Sequence, residues 1–154
     1  MVRAMSGIPR SALLLGLAGL LPFVWGALTV LSPGLADWAR AALSPRLAGP
    51  YVLSAYGIVI LSFMSGVLWG FATKAEGPLA AKGYALSVLP ALWTFFMVGG
   101  GPQAALSALL AGFLGVFLLD VIFARWALVP AWWLPLRTVL TVGVTACLLV
   151  GLYG

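Results

Sequence analysis

The run Ala104-Ala105-Leu106-Ser107-Ala108-Leu109-Leu110-Ala111-Gly112-Phe113-Leu114-Gly115-Val116-Phe117-Leu118-Leu119-Asp120-Val121-Ile122-Phe123 contains a single charged side chain, Asp120. A helix of about 20 apolar residues crosses roughly 30 Å of hydrocarbon, the thickness of a bilayer core. Four more runs of this kind flank it: Ser11–Leu31, Tyr51–Thr73, Pro78–Val98 and Leu134–Tyr153. Read as helices, they predict five membrane spans joined by short loops.

The chain as a whole agrees. It has 154 residues, 64% hydrophobic and 7% charged, with a mean hydropathy of +1.16. Soluble domains carry about a quarter charged residues. Eight Lys and Arg with three carboxylates cannot cover a globule of this size with polar surface. The expected fold is all-α: a polytopic membrane helix bundle, residues 1–154 forming one transmembrane domain with the lipid bilayer as its solvent.

The residue types that are missing exclude most chemistry. There is no histidine, so a Ser-His-Asp relay, a His-ligated haem and an ordinary zinc site all lack an essential group. Cys147 is the one cysteine; it lies in an apolar run and reads as a small hydrophobe. Asp37, Glu76 and Asp120 are the only carboxylates. A pI near 10.0 suggests nucleic acid, but the cations are scattered singly with no basic stripe. The reading is a non-catalytic protein with no metal, no cofactor and no nucleic-acid partner.

Local signals place the loops. The first run follows a basic start with Arg3 and Arg10. It is longer than a signal-peptide core and closes on no small-x-small site, so it is expected to remain as a membrane helix. Pro22 and Pro90 fall mid-span and should kink their helices. Pro78 opens the third span after Lys74-Ala75-Glu76-Gly77, and Lys82 sits near enough to its end to snorkel outward. Gly99-Gly100-Gly101-Pro102 predicts a tight turn; no strand precedes it and no lysine follows, as a phosphate loop would need. The segment Ala124–Trp133 holds three tryptophans and is expected along the headgroup layer. In Ser32–Leu43, Leu35, Trp38 and Ala42 share a helical face opposite Asp37 and Arg40. That predicts a short interfacial helix lying flat in the first loop.

Cations set the orientation. Arg3, Arg10, Lys74, Lys82, Arg125 and Arg137 fall on one side, Arg40 and Arg46 on the other. The positive-inside rule then puts the N-terminus in the cytoplasm and, after five spans, the C-terminus on the outer face.

Two features inside the spans stand out. Ser62, Gly66 and Gly70 are spaced by four, and small residues at that spacing let helix backbones approach closely. Ala108 with Gly112 and Ala111 with Gly115 repeat the pattern. Packing within the bundle is the expectation, and a face for self-association or another membrane protein is the alternative. Asp120 lies about one turn inside its span, where an ionised carboxylate needs a partner. Arg137, opening the fifth span, is the expected one, with Arg125 also near. The alternative is a proton or ligand site.

Tyr56-Gly57-Ile58-Val59-Ile60-Leu61-Ser62-Phe63-Met64-Ser65-Gly66-Val67-Leu68-Trp69-Gly70 resembles the signature of domain-of-unknown-function family 3429. Leu86–Leu92 with Pro90, Asp120, and Pro130–Thr141 with Trp133 resemble it too. Tyr56, Trp69, Pro90 and Trp133 are the marker positions. Two departures exist: Leu68 replaces a basic residue common before the Trp-Gly pair, and Trp133 stands where tyrosine is usual. The resemblance implies a multi-pass inner-membrane protein, bacterial or mitochondrial. It implies no activity, substrate or cofactor.

Two functional expectations follow. One is an accessory subunit, or an assembly or stabilising factor, of a larger inner-membrane complex. The other is a small carrier or channel for a lipophilic ligand such as a quinone or lipid, suggested by Pro22, Pro90 and the aromatics Trp25, Tyr56, Trp69 and Trp93. Mid-membrane polar groups are few and mild (Ser62, Ser65, Thr94, Ser107, Thr141), which favours the accessory role. An enzyme is the least expected class.

Overall fold

The computed structural model describes residues 7–154; Arg3, which enters the cation count, lies outside them. Among the described residues every regular element is a helix: α1 Arg10–Ala18, α2 Leu21–Leu31, α3 Pro33–Ala42, a 3₁₀ turn Pro45–Leu47, α4 Pro50–Ala72, α5 Gly77–Ser87, α6 Leu89–Met97, α7 Pro102–Arg125 and α8 Trp133–Tyr153. Five lengths are long and apolar enough to cross a bilayer: Arg10–Leu31, Pro50–Ala72, Gly77–Met97, Pro102–Arg125 and Trp133–Tyr153. The protein is an all-α, multi-pass membrane helix bundle.

The first and third spans are broken where proline requires it. Pro22 has no N–H, and its ring crowds the carbonyl of Ala18, so the helix yields at Gly19-Leu20. Leu20 N–H instead donates to the Leu17 carbonyl, one residue short of an α-helical bond. Pro90 does the same at Val88, between α5 and α6. The break leaves the Ala91 N–H without a helical acceptor, and Ser65 Oγ on α4 accepts it at 2.8 Å. Ser62 Oγ lies 3.4 Å from Thr94 Oγ1 on α6. Ser62 and Ser65 of the second span therefore stitch the kinked third span to it.

Helix α4 is the hub, packing against α2, α5, α6, α7 and α8. Its buried positions include Leu61, Met64, Leu68 and Ala72, spaced by three or four, and these meet Phe23, Leu109, Phe113, Val116 and Phe123 in one core. The close approach of α4 to α7 runs through Gly57 and Gly112. A Cβ at Gly57 would stand 2.8 Å from Leu109 Cδ1, and one at Gly112 would collide with Leu61 Cδ2.

The Ser62/Gly66/Gly70 face is a correction. Ser62 is half-buried, but Gly66 and Gly70 are exposed, and a Cβ on either would meet nothing within 4 Å. The cause is helical drift. At 3.6 residues per turn a stripe spaced by four rotates about 40° per step, so by Gly70 it has turned roughly 80° from Ser62. The stripe leaves the bundle and faces outward. Of the α7 pairs, Gly112 is packed while Gly115 is open.

The first loop does form a helix, α3, with Ser32 Oγ accepting from Leu35 N–H at 3.4 Å. Ala36 and Ala39 are buried against the bundle, while Trp38 and Ala42, on the apolar face read from the sequence, are exposed. Small side chains let the helix backbone lie close over α2, and that turns the larger ones outward. Trp25 Nε1 donates to the Leu47 carbonyl at 2.7 Å, and Thr29 Oγ1 accepts the Gly49 N–H at 2.8 Å, tying the loop down. The surface pair Arg40–Asp37, at 2.7 Å, adds little in water.

The Gly99–Gly101 turn matches its expectation, with φ of 74° at Gly100 and 103° at Gly101. The loop after α7 folds back on the bundle: Leu128 is buried and its carbonyl accepts from Lys74 Nζ at 3.3 Å. Helix α7 ends in a left-handed residue, Ala127, at φ 56°. Leu128 N–H reaches back to the Phe123 carbonyl and Ala127 N–H to that of Ala124, each at 3.0 Å. That pattern normally ends in glycine. Ala127 is exposed, so Ala127→Gly should remove Cβ strain with no loss of packing. We expect a gain of about 0.5–1 kcal/mol, read as a higher Tm in detergent.

Candidate functional site

Asp120 sits on α7 about one turn before its end and is completely buried. Trp133 and Arg137 lie four apart at the start of α8, so both side chains face α7. Arg137 Nε donates to Asp120 Oδ2 at 2.6 Å. Trp133 Nε1 donates to Asp120 Oδ1 at 2.8 Å. Both carboxylate oxygens thus receive a donor from one helix. Arg125, the other cation weighed for this role, is exposed.

The pairing of Asp120 with Arg137 was legible in the sequence; the part played by Trp133 was not. Its indole reads as an interfacial anchor, and only the four-residue offset from Arg137 hints at more. The other marker positions do not converge here. Tyr56 packs edge-on against Phe23 at 5.1 Å, Trp69 lies 4.7 Å from Tyr84, and Pro90 is buried at the third-span kink.

One arm of Arg137 is used and another is not. Among the described residues Nη2 is buried with no hydrogen-bond partner, as are Thr141 Oγ1 and Thr145 Oγ1. Arg137, Thr141 and Thr145 stand at successive four-residue steps along α8, forming an unsatisfied polar column inside the membrane-spanning part. Buried polar atoms without partners are rare in folded proteins because each one costs its lost hydration.

Arg137 and Thr141 line a cavity of about 320 Å³ between α1, α2, α4, α7 and α8. Its remaining walls are apolar or glycine, among them Gly16, Phe23, Met64 and Leu140 with the ring of Trp133. Leu15 and Phe63 also border it, and both are exposed on the outer side of the bundle. The cavity therefore opens sideways, toward the acyl chains. Its volume is at the small end of the range for ligand pockets, roughly 300–1,000 Å³.

A family model described as a protein of unknown function (DUF3429) matches residues 8–153. The chain belongs to this family. Transmembrane protein 69 of Xenopus tropicalis is similar: 36% identical over 145 residues, covering 92% of this chain and 53% of that protein. The chain thus spans about half the length of this curated relative. No solved structure matches it. In this chain the second donor to Asp120 is the Trp133 indole N–H.

Proposed function

We propose that this protein is a non-catalytic membrane protein that takes a lipophilic small molecule from the bilayer into the cavity beside Arg137. The observation that carries this reading is the pair of unpartnered polar atoms, Arg137 Nη2 and Thr141 Oγ1, on residues lining an otherwise apolar, laterally open cavity. Ligand sites have this make-up: mostly apolar walls with a few placed polar groups. The test is purification in mild detergent followed by native mass spectrometry. A reproducible lipophilic mass is expected on the wild type and should be lost in Ala12→Phe, which fills the cavity. An identical adduct pattern in both would refute the reading.

A second reading, the accessory or assembly factor, draws on a different observation. Gly66 and Gly70 leave an open strip of backbone on the outer face, where another helix can approach closely. Its signature is a stoichiometric protein partner in the same purification, lost in Gly66→Leu.

We place the protein in a bacterial cytoplasmic membrane, N-terminus inside, with the mitochondrial inner membrane as the alternative. Two hydrogen bonds mark the bundle's ends: Lys74 to Leu128 joins two loops at one, and Gln103 to Leu152 joins α7 to α8 at the other. Arg10, Arg125 and Arg137 share the first end; Arg40 and Arg46 belong to the second. Alkaline phosphatase fused after Gly154 should be active in the periplasm. An inactive fusion, with a fluorescent cytoplasmic reporter at the same position, reverses the orientation.

A further inference from the structure

We infer that the ligand of this cavity is an uncharged lipophile presenting a carbonyl oxygen, and that an anionic lipid is excluded. The inference rests on the ligand-binding reading above and goes on to specify the chemistry. A guanidinium Nη2 has hydrogens to give and no lone pair to accept with, while a threonine hydroxyl can donate. Arg137 and Thr141 are one turn apart on the same face of α8, so both can reach a single acceptor. A carbonyl oxygen, with two lone pairs, suits two such donors.

Charge decides between a neutral and an anionic acceptor. Among the described residues Arg137 is the only charged side chain lining the cavity, and Asp120 already balances it at 2.6 Å. A carboxylate or phosphate entering here would bring an uncompensated negative charge into a low-dielectric site beside a fully buried aspartate. A neutral carbonyl satisfies the donors without that cost. The apolar walls and lateral opening suit a ring or chain delivered through the membrane. Benzoquinones and acylglycerols share this chemistry, one with a ring carbonyl and the other with an ester carbonyl.

The experiment compares four probes on purified wild type in detergent: a decyl-substituted benzoquinone, dioctanoylglycerol, dodecanoate at neutral pH, and dodecylbenzene, which has no acceptor. Affinity is read from the rise in Tm with probe concentration. The expected result is that one of the two carbonyl probes binds tightest. The benzoquinone leading points to a ring ligand, and the glyceride leading to an ester lipid. Thr141→Val should weaken that probe roughly three- to tenfold, the worth of one neutral hydrogen bond, and leave dodecylbenzene unchanged. Dodecanoate binding tightest would overturn the inference while leaving the cavity as a ligand site, and so would dodecylbenzene equal to the carbonyl probes. If none of the four shifts the Tm, both the inference and the ligand-binding reading fail.

Discussion

Arg137→Gln should be among the most destabilising single changes in this protein, with Asp120→Asn close behind. Removing the guanidinium strands a fully buried carboxylate with one remaining donor, the Trp133 indole. Breaking a buried ion pair by deleting one partner costs about 3–5 kcal/mol, because the surviving charge is left uncompensated. Asp120→Asn strands the guanidinium instead. That charge sits on a long side chain one turn from the start of α8 and can shift toward the headgroups, so its loss should be smaller. The double variant removes both charges and should recover part of the damage. A double-mutant cycle on detergent melting or chemical unfolding reads the coupling, expected at roughly 0.5–3 kcal/mol. Strictly additive losses would mean the two charges do not support each other.

Gly112→Val should disrupt the bundle almost as strongly, whereas Gly66→Leu should leave it unchanged. Even the first carbon at Gly112 collides with Leu61 and comes within 2.9 Å of Trp93 Cδ1. Trp93 is also held in place, its Nε1 donating to the Ala108 carbonyl at 2.7 Å. Overpacking of this kind costs about 1–3 kcal/mol. Helices in lipid gain no hydrophobic drive to offset it, because separating them exposes them only to other hydrocarbon. A lower Tm for Gly112→Val together with an unchanged Tm for Gly66→Leu is the expected pair of results. The reverse pattern would put the close helix contact on the Gly66 face.

The contrast between these glycines shows where sequence reading runs short. Spacing by four identifies a small-residue stripe, and both α4 and α7 carry one. It does not say which way the stripe points. Every face of a membrane-spanning helix is apolar, so the polar-against-apolar contrast that orients helices in water is absent. Phe95 and Phe96 are large and exposed, while Gly57 and Gly112 are packed. The same limit applies to α3: its apolar face with Trp38 was legible, but the packing of Ala36 and Ala39 against the bundle, where alanine permits the closer approach, was not.

The ion pair was legible for the opposite reason. A charge inside an apolar run is so costly that its partner must be another charge within reach, and Arg137 was the one candidate opening the adjacent span. Trp133 escaped notice because an indole near a span end already has an ordinary explanation at the interface. The cavity was beyond any reading of one segment, since its walls come from α1, α2, α4, α7 and α8 together.

Five apolar lengths, two proline breaks, a glycine turn and one intramembrane acid with its partner were determined by the sequence itself. Each follows from the energy of a single segment: its transfer into hydrocarbon, its backbone geometry, or the solvation of one charge. The facing of each helix, the donor from Trp133, the unpartnered Arg137 Nη2 and the cavity beside it were decided only by the tertiary structure. They depend on how five nearly uniform apolar cylinders settle against one another. In a bilayer, that settling is governed by shape and close packing.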